Sequence, residues 1–327
     1  VYIEAAKSFV RLKMVPQALR VLSQVNALAL GSDHKAQKEA LERAVVDYIP
    51  RVDALAAMPP GPQRSPGAEI IVVRGAVDAL IAPVVKHYRA AHPGVFLILS
   101  TWANTETAVL ADVAPYFDDV VLNQRPKSAG VNNINFQLAC AVNGVNRARD
   151  LGAQRIMVTR TDIALLRPNL LDELRRRLFA HPSDPAKAPH LKQRLVVSDL
   201  FTQLVPFYHP SDLFCYGAAE DVAKFWADAS EVNTCTGPEP FLCRKFAARA
   251  GRPLANHYHD SLWAIRDLFV VCDASALQLY WQKNPFWPNA YTLIERGLIT
   301  EKVWEGTEKP YLKISADVLP RWAAHQV

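Results

Sequence analysis

Glu69-Ile70-Ile71-Val72-Val73-Arg74-Gly75 is the stretch whose reading decides the fold. Four β-branched residues in succession, with no polar residue between them, predict a short strand buried on both faces. The run stops at Arg74-Gly75. A helical stretch follows from Ala79 to Ala91 and is closed by His92-Pro93-Gly94. A second apolar run, Val95 to Leu99, then ends in Ser100-Thr101-Trp102. Strand, helix and strand within about thirty residues make a βαβ unit, whose two strands must be parallel.

The pattern continues downstream. Val120 to Leu122 ends in Asn123, and Ile156 to Thr159 ends in Arg160-Thr161-Asp162. Leu195 to Val197 leads into Ser198-Asp199, and Leu213 to Tyr216 leads into Gly217. Between the third and fourth runs, Asn133 to Asp150 reads as a helix with Leu138, Ala141, Val142 and Val145 on one face and Gly152 as its stop. The fold class is therefore α/β, a mainly parallel sheet flanked by helices. Such sheets bind ligands in the crevice outside the carboxyl ends of their strands. Arg74, Ser100, Asn123, Arg160, Asp162 and Asp199 all gather at those ends.

Upstream, residues 1–56 read as a helical segment. Phe9, Leu12, Val15, Ala18, Leu19 and Leu22 share one face, and Ala40, Leu41, Ala44, Val45 and Tyr48 mark a second helix. The pair resembles a tetratricopeptide-type hairpin and equally a connector from an upstream domain. Residues 57–68, rich in proline and glycine, form a linker. The α/β domain is placed at 69–275. The extension at 276–327 carries Trp281, Phe286, Trp287, Tyr291 and Trp304, which read mainly as core packing.

Composition narrows the function class. The 327 residues carry a net charge of +5, 50% apolar residues and 21% charged ones. That is too little positive charge for a nucleic-acid binder, and it suits an anionic small molecule. Arg175, Arg176 and Arg177 read as a solvated helix face. Five scattered cysteines without a CxxC pair argue against a disulfide framework or a zinc site, and with the absence of an apolar run long enough to span a bilayer they predict a cytoplasmic protein.

Several motifs could carry chemistry. Asp162 lies between two apolar runs and needs a partner: a divalent cation bridging phosphates, a salt bridge to Arg160, or a helix to cap. Arg74 can clamp a phosphate or carboxylate while Gly75 lets the backbone approach it. Asn132-Asn133-Ile134-Asn135-Phe136-Gln137 opens a helix; one amide there explains a cap, and four invite base or sugar recognition. Asp212, in His209-Pro210-Ser211-Asp212, and Glu239, in Pro238-Glu239-Pro240, are candidates for a general base, with Glu239 equally suited to the helix dipole. His257 and His259 are two apart and cannot share a helical face, which argues against a metal site.

In their order and spacing these pieces resemble the WavE family of bacterial lipopolysaccharide-synthesis proteins, regarded as glycosyltransferases. The resemblance runs from about residue 69 to 245, through Ile71 to Val77, Leu99 to Trp102, Val121 to Asn123, Asn132 to Gln137, Thr159 to Asp162, Val197 to Asp199, Ser211 to Phe214 with Gly217, and Pro238-Glu239. It implies a GT-A-like (Rossmann-type) fold, a nucleotide-activated sugar as donor, and an oligosaccharide or lipid-linked saccharide as acceptor. The implied setting is surface-polysaccharide synthesis, at the cytoplasmic face of the inner membrane or free in the cytoplasm. It implies a donor site drawn from Arg74, Gly75, Ser100, Trp102, Asn123, Asn132, Asn135, Arg160 and Asp162. Arg160-Thr161-Asp162 would take the place of the Asp-x-Asp motif. Arg160 then stands at the first acidic position and Arg74 where the family usually has glutamine. The cofactor is open between Mg2+ or Mn2+ at Asp162 and a metal-independent mechanism in which arginine neutralises phosphate, as would suit a CMP-linked sugar. The alternative to an enzyme is a non-catalytic nucleotide- or saccharide-binding module of a larger assembly protein.

Overall fold

The computed structural model describes residues 64–281 and 299–307, apart from 79–80, 229–230, 233–234, 236 and 275. The expected N-terminal helical segment, most of the linker, and Phe286, Trp287 and Tyr291 lie outside the described residues.

Strands β1 (Glu69–Arg74), β2 (Phe96–Trp102), β3 (Asp119–Asn123) and β4 (Arg155–Arg160) form the parallel half of a seven-stranded sheet. Its order is β3-β2-β1-β4-β7-β6-β8, where β6 is Leu195–Ser198, β7 is Phe214–Ala218 and β8 is Phe269–Cys272. Every β1 residue from Ile70 to Arg74 is buried, as a strand covered on both faces requires. The chain moves outward from β1 to β3, then returns across β1 to lay down β4. That reversal is the topological switch point at which open α/β sheets bind ligands.

Helices α1 (Ala82–Ala91) and α2 (Thr107–Val113) make the outward crossovers and pack on each other, while α3 (Ile134–Asp150) makes the return crossover and packs on β1, β2 and β3. Because parallel crossovers are right-handed, the return helix takes the opposite face. Gly144 allows α3 its close approach: a Cβ there would meet Val72 Cγ1 at 2.5 Å. Further on come α4 (Leu170–Ala180), α5 (Ala219–Trp226), α6 (Pro238–Ala250), α7 (Tyr258–Leu268) and α8 (Glu301–Thr307). A small second sheet pairs β5 (Ile163–Leu165) with β9 (Leu279–Trp281), which brings the start of the C-terminal extension against the domain. Trp281 and Trp304 are buried, as expected of core aromatics.

One strand runs against the rest. β7 is antiparallel to both β4 and β6, with Thr159 opposite Phe214. Its amino end, not its carboxyl end, therefore reaches the rim where β1 and β4 finish, and Asp212, just before β7, arrives there. The basic run on α4 is a solvated face at Arg176, as expected, and departs from that expectation at Arg177. Arg175 pairs with Glu69 and Asp172, Arg176 with Glu173, and Arg177, only 13% exposed, bridges Glu173 and Glu301.

Candidate functional site

The β1 and β4 ends set the floor of the site. Arg74 and Arg160 are register partners on adjacent parallel strands, so two guanidinium groups emerge side by side at the switch point. Beside them opens a cavity of about 350 Å³, lined by residues from five chain segments. Arg74, Gly75 and Ala76 follow β1, Trp102 closes β2, Arg125 lies past β3, and Arg160, Thr161 and Asp162 follow β4. Asn132, Asn133, Phe136 and Gln137, at the amino end of α3, complete the wall.

Arg74 is 3% exposed and its guanidinium lies over the Trp226 ring, 4.4 Å from the centroid. Nη2 donates to the Asp212 carbonyl at 3.0 Å and stands 3.7 Å from the Asp212 carboxylate, yet Nε is buried with no acceptor. Burial lowers the Arg74 pKa, against the pull of Asp212, and Arg160 lowers it further. A buried donor without a partner costs about 1–3 kcal/mol, a debt that an anion entering the cavity would remove.

Arg160 and Asp162 form a two-point pair, with Nε to Oδ1 and Nη2 to Oδ2 both at 2.9 Å. Trp281 Nε1 donates to the same Oδ2 at 3.0 Å, and Arg160 stacks over the Trp281 ring at 5.1 Å. Burial works against the Arg160 charge, but Asp162 by charge and hydrogen bonding, with Asp212 and Glu239 adding, raises its pKa above the ordinary value. Of the partners open to Asp162 in the sequence, the one present is the salt bridge. A divalent cation at Asp162 would have to share oxygens already engaged by Arg160 and Trp281.

The amides before α3 do not cap it. Asn132 (φ 50°) and Asn133 (φ 62°) both adopt left-handed backbone, and no side-chain cap bond forms. Asn tolerates this conformation better than most residues, and the turn aims both side chains along the cavity wall. Asn135 points the other way. Its Nδ2 donates to Ser128 O and Val232 O, each at 3.2 Å, and its Oδ1 accepts from Val232 N at 2.7 Å. Ser100 and Asn123 likewise stand behind the cavity. Asn123 Nδ2 donates to Ser100 Oγ at 2.9 Å and Ser100 Oγ donates to Cys140 O at 2.7 Å, tying β3 and β2 to α3.

Of the nine residues implied for the donor site, then, Arg74, Gly75, Trp102, Asn132, Arg160 and Asp162 share one cavity, while Ser100, Asn123 and Asn135 brace it from behind. The two candidate bases also part company. Asp212 is 3% exposed and holds Arg74. Glu239 sits in the first turn of α6, its carboxylate 3.6 Å from His209 Nε2 and close enough to Arg160 to act on its charge. His209 Nδ1 is in turn bonded to Phe201 O at 2.9 Å. His257 accepts from Asp260 N at 3.2 Å and so caps α7. Arg125 was missed from the sequence because it does not directly follow its apolar run, standing two residues past the end of β3; it is exposed and lies over the Trp102 and Phe136 rings at 5.4 and 5.8 Å.

Among the described residues no helix is long and apolar enough to cross a membrane. No curated protein matches the chain. The family model of WavE lipopolysaccharide synthesis matches residues 71–234, half of the chain, from β1 through β7. The strands that build the cavity thus lie inside the match, and the chain belongs to the WavE lipopolysaccharide synthesis family, with a role in making lipopolysaccharide from sugar-related substrates.

Proposed function

We propose that the protein is a glycosyltransferase of GT-A-like design, moving a sugar from a nucleotide-activated donor to a saccharide acceptor during lipopolysaccharide synthesis. The observation that carries this reading is Arg74: a buried guanidinium with an unpartnered Nε, in register with Arg160, facing a cavity at the switch point of the sheet. Three arginines against one carboxylate make the cavity wall attractive to phosphate, and fixed guanidinium groups stabilise the charge that builds on a phosphate leaving group.

In the reaction the acceptor hydroxyl oxygen bonds to the anomeric carbon as the bond from that carbon to the phosphate oxygen breaks. The nucleotide leaves with the bonding electrons, and the hydroxyl proton passes to a base. Glu239 suits that role, because its carboxylate is partly exposed beside His209 and near Arg160. Asp212 suits a different one, since it is buried and keeps Arg74 in place. Asp162, held by Arg160, is oriented to accept hydroxyls of the donor sugar. With that carboxylate committed, neutralisation of the phosphate falls to arginine in place of Mg2+ or Mn2+.

Two measurements test this. Glu239→Gln lowers turnover by about a hundredfold or more while leaving nucleotide affinity nearly unchanged; unchanged turnover removes Glu239 as the base. Transfer proceeds at full rate in EDTA, and loss of activity restored by Mn2+ would return Asp162 to the metal. Nucleotide binding with neither transfer nor donor hydrolysis would favour the binding-module reading.

A further inference from the structure

The cavity has two unlike halves. On the β1–β4 side it presents Arg74, Gly75, Arg160 and Asp162; on the β2–β3 side it presents Trp102, Arg125, Phe136 and Gln137. The strand order fixes this sequence along the rim, and three strand spacings of about 4.8 Å carry it over roughly 14 Å. We propose that the second half is a nucleobase subsite, in which a single-ring base stacks on Phe136 beneath Arg125 and gives an N–H to Gln137 Oε1. The inference rests on the donor-phosphate reading of Arg74 and Arg160 and extends it to the class of nucleotide, a pyrimidine.

Three observations support it. Gln137 lines the cavity in the first turn of α3; its Nε2 donates to Asn132 O at 3.3 Å, which fixes the amide orientation, and its Oε1 is buried and accepts nothing. A buried acceptor without a donor is as costly as the unpartnered Arg74 Nε at the other end, and it calls for the opposite kind of group. Nucleobases carry such an N–H on their pairing edge, whereas phosphates and fully ionised acids do not; the choice of a pyrimidine rests on the single ring of Phe136.

Phe136 supplies the second observation. Its ring is partly exposed, and Trp102, nearly buried, meets it edge-on with centroids 5.4 Å apart and planes at 69°. Trp102 therefore does not stack on Phe136, whose single ring is overlain by Arg125. The third is Arg125, which makes no hydrogen bond or ion pair among the described residues and lies over both rings. It can lift to admit a base and then cover it, since guanidinium and aromatic planes both stack on bases.

Titration calorimetry with CMP, UMP, GMP and ribose 5-phosphate tests the proposal in the wild type and three variants. Phe136→Ala is expected to weaken CMP and UMP by about tenfold or more, and Gln137→Leu by about fivefold or more, while ribose 5-phosphate binding moves less than about twofold in either. Arg160→Met should weaken all four ligands. Pyrimidine nucleotide binding that survives both Phe136→Ala and Gln137→Leu overturns the subsite while leaving the phosphate reading intact. Equal losses for nucleotides and ribose 5-phosphate in those variants also overturn it, as does tighter binding of GMP than of CMP and UMP. Ribose 5-phosphate binding indifferent to Arg160→Met would instead break the phosphate reading beneath it.

Discussion

The crevice between β1 and β4 and the outer edge made by β6 and β8 are built by the same device and end differently. In each, polar residues follow buried parallel strands onto the same rim. At the crevice the chain reverses direction across the sheet, the crossovers diverge, and Arg74 and Arg160 face a cavity. At the edge the gap is filled. Asp199 accepts from Ala274 N at 2.8 Å, Asp273 N donates to Glu301 at 2.6 Å, and Glu301 on α8 is tied to Arg177. A polar residue at a strand end is thus a candidate for function only where the topology leaves room beside it. The edge spends the same residue types on closure.

The comparison is most sharply tested at Arg74. Arg74→Met leaves Asp212 buried without its cation, and breaking a buried pair from one side costs about 3–5 kcal/mol. Chemical denaturation should show that loss, together with loss of nucleotide binding. The double variant Arg74→Met/Asp212→Asn should recover most of the stability and none of the binding. If binding returned with stability, Arg74 would be a structural residue like those at the outer edge.

Gly75 comes next. Its φ of +123° is open to glycine and strained for other residues, and a Cβ there would lie 3.0 Å from Thr161 Oγ1. Thr161 cannot easily give way, because its hydroxyl donates to Ala76 O at 2.6 Å and its N–H to Arg74 O at 2.9 Å. Gly75→Ala should cost about 2–3 kcal/mol and weaken nucleotide binding along with it. A variant of wild-type stability would mean that the β1 turn relaxes without strain.

How far the sequence reached follows the same division. Unbroken apolar runs, β-branched throughout in β1, are legible because a strand covered on both faces favours them, so β1, β2 and β4 and the residues that follow them are read directly. Strand direction is not written in such a run. Leu213 to Tyr216 reads the same either way, and only pairing shows that Asp212 reaches the rim from the amino end of an antiparallel strand. Asn135 carried a signal that went unused: it lies three residues before Leu138, on the buried stripe of α3, and so faces inward, while Phe136 and Gln137 face the cavity. The roles of Arg125 and His209 could not be read locally, since their partners Trp102, Phe136 and Glu239 come from other segments of the chain.

The outer edge offers a test of the opposite kind, with a smaller effect. Burial, reinforced by Asp273 and Glu301 and opposed by the Ala274 N–H, raises the Asp199 carboxyl from 3.8 to about 7. The folded state therefore holds a proton that the unfolded chain releases near pH 4. Stability from this group is complete below that pH, declines as pH rises, and is gone once the folded carboxyl ionises near pH 7. Asn resembles the protonated acid and keeps an acceptor for Ala274 N, so Asp199→Asn should gain on the wild type progressively between pH 4 and 7. Above pH 7 the gain should level off at about 1–2 kcal/mol, which is less than the full shift implies because the group is partly exposed and Asn offers one acceptor fewer. Thermal melts at pH 5 and pH 8 would show the gap widen by several degrees. Because Asp199 lies at the closed edge, nucleotide affinity should not follow it; an affinity that tracked the Asp199 titration would join the two regions into one site.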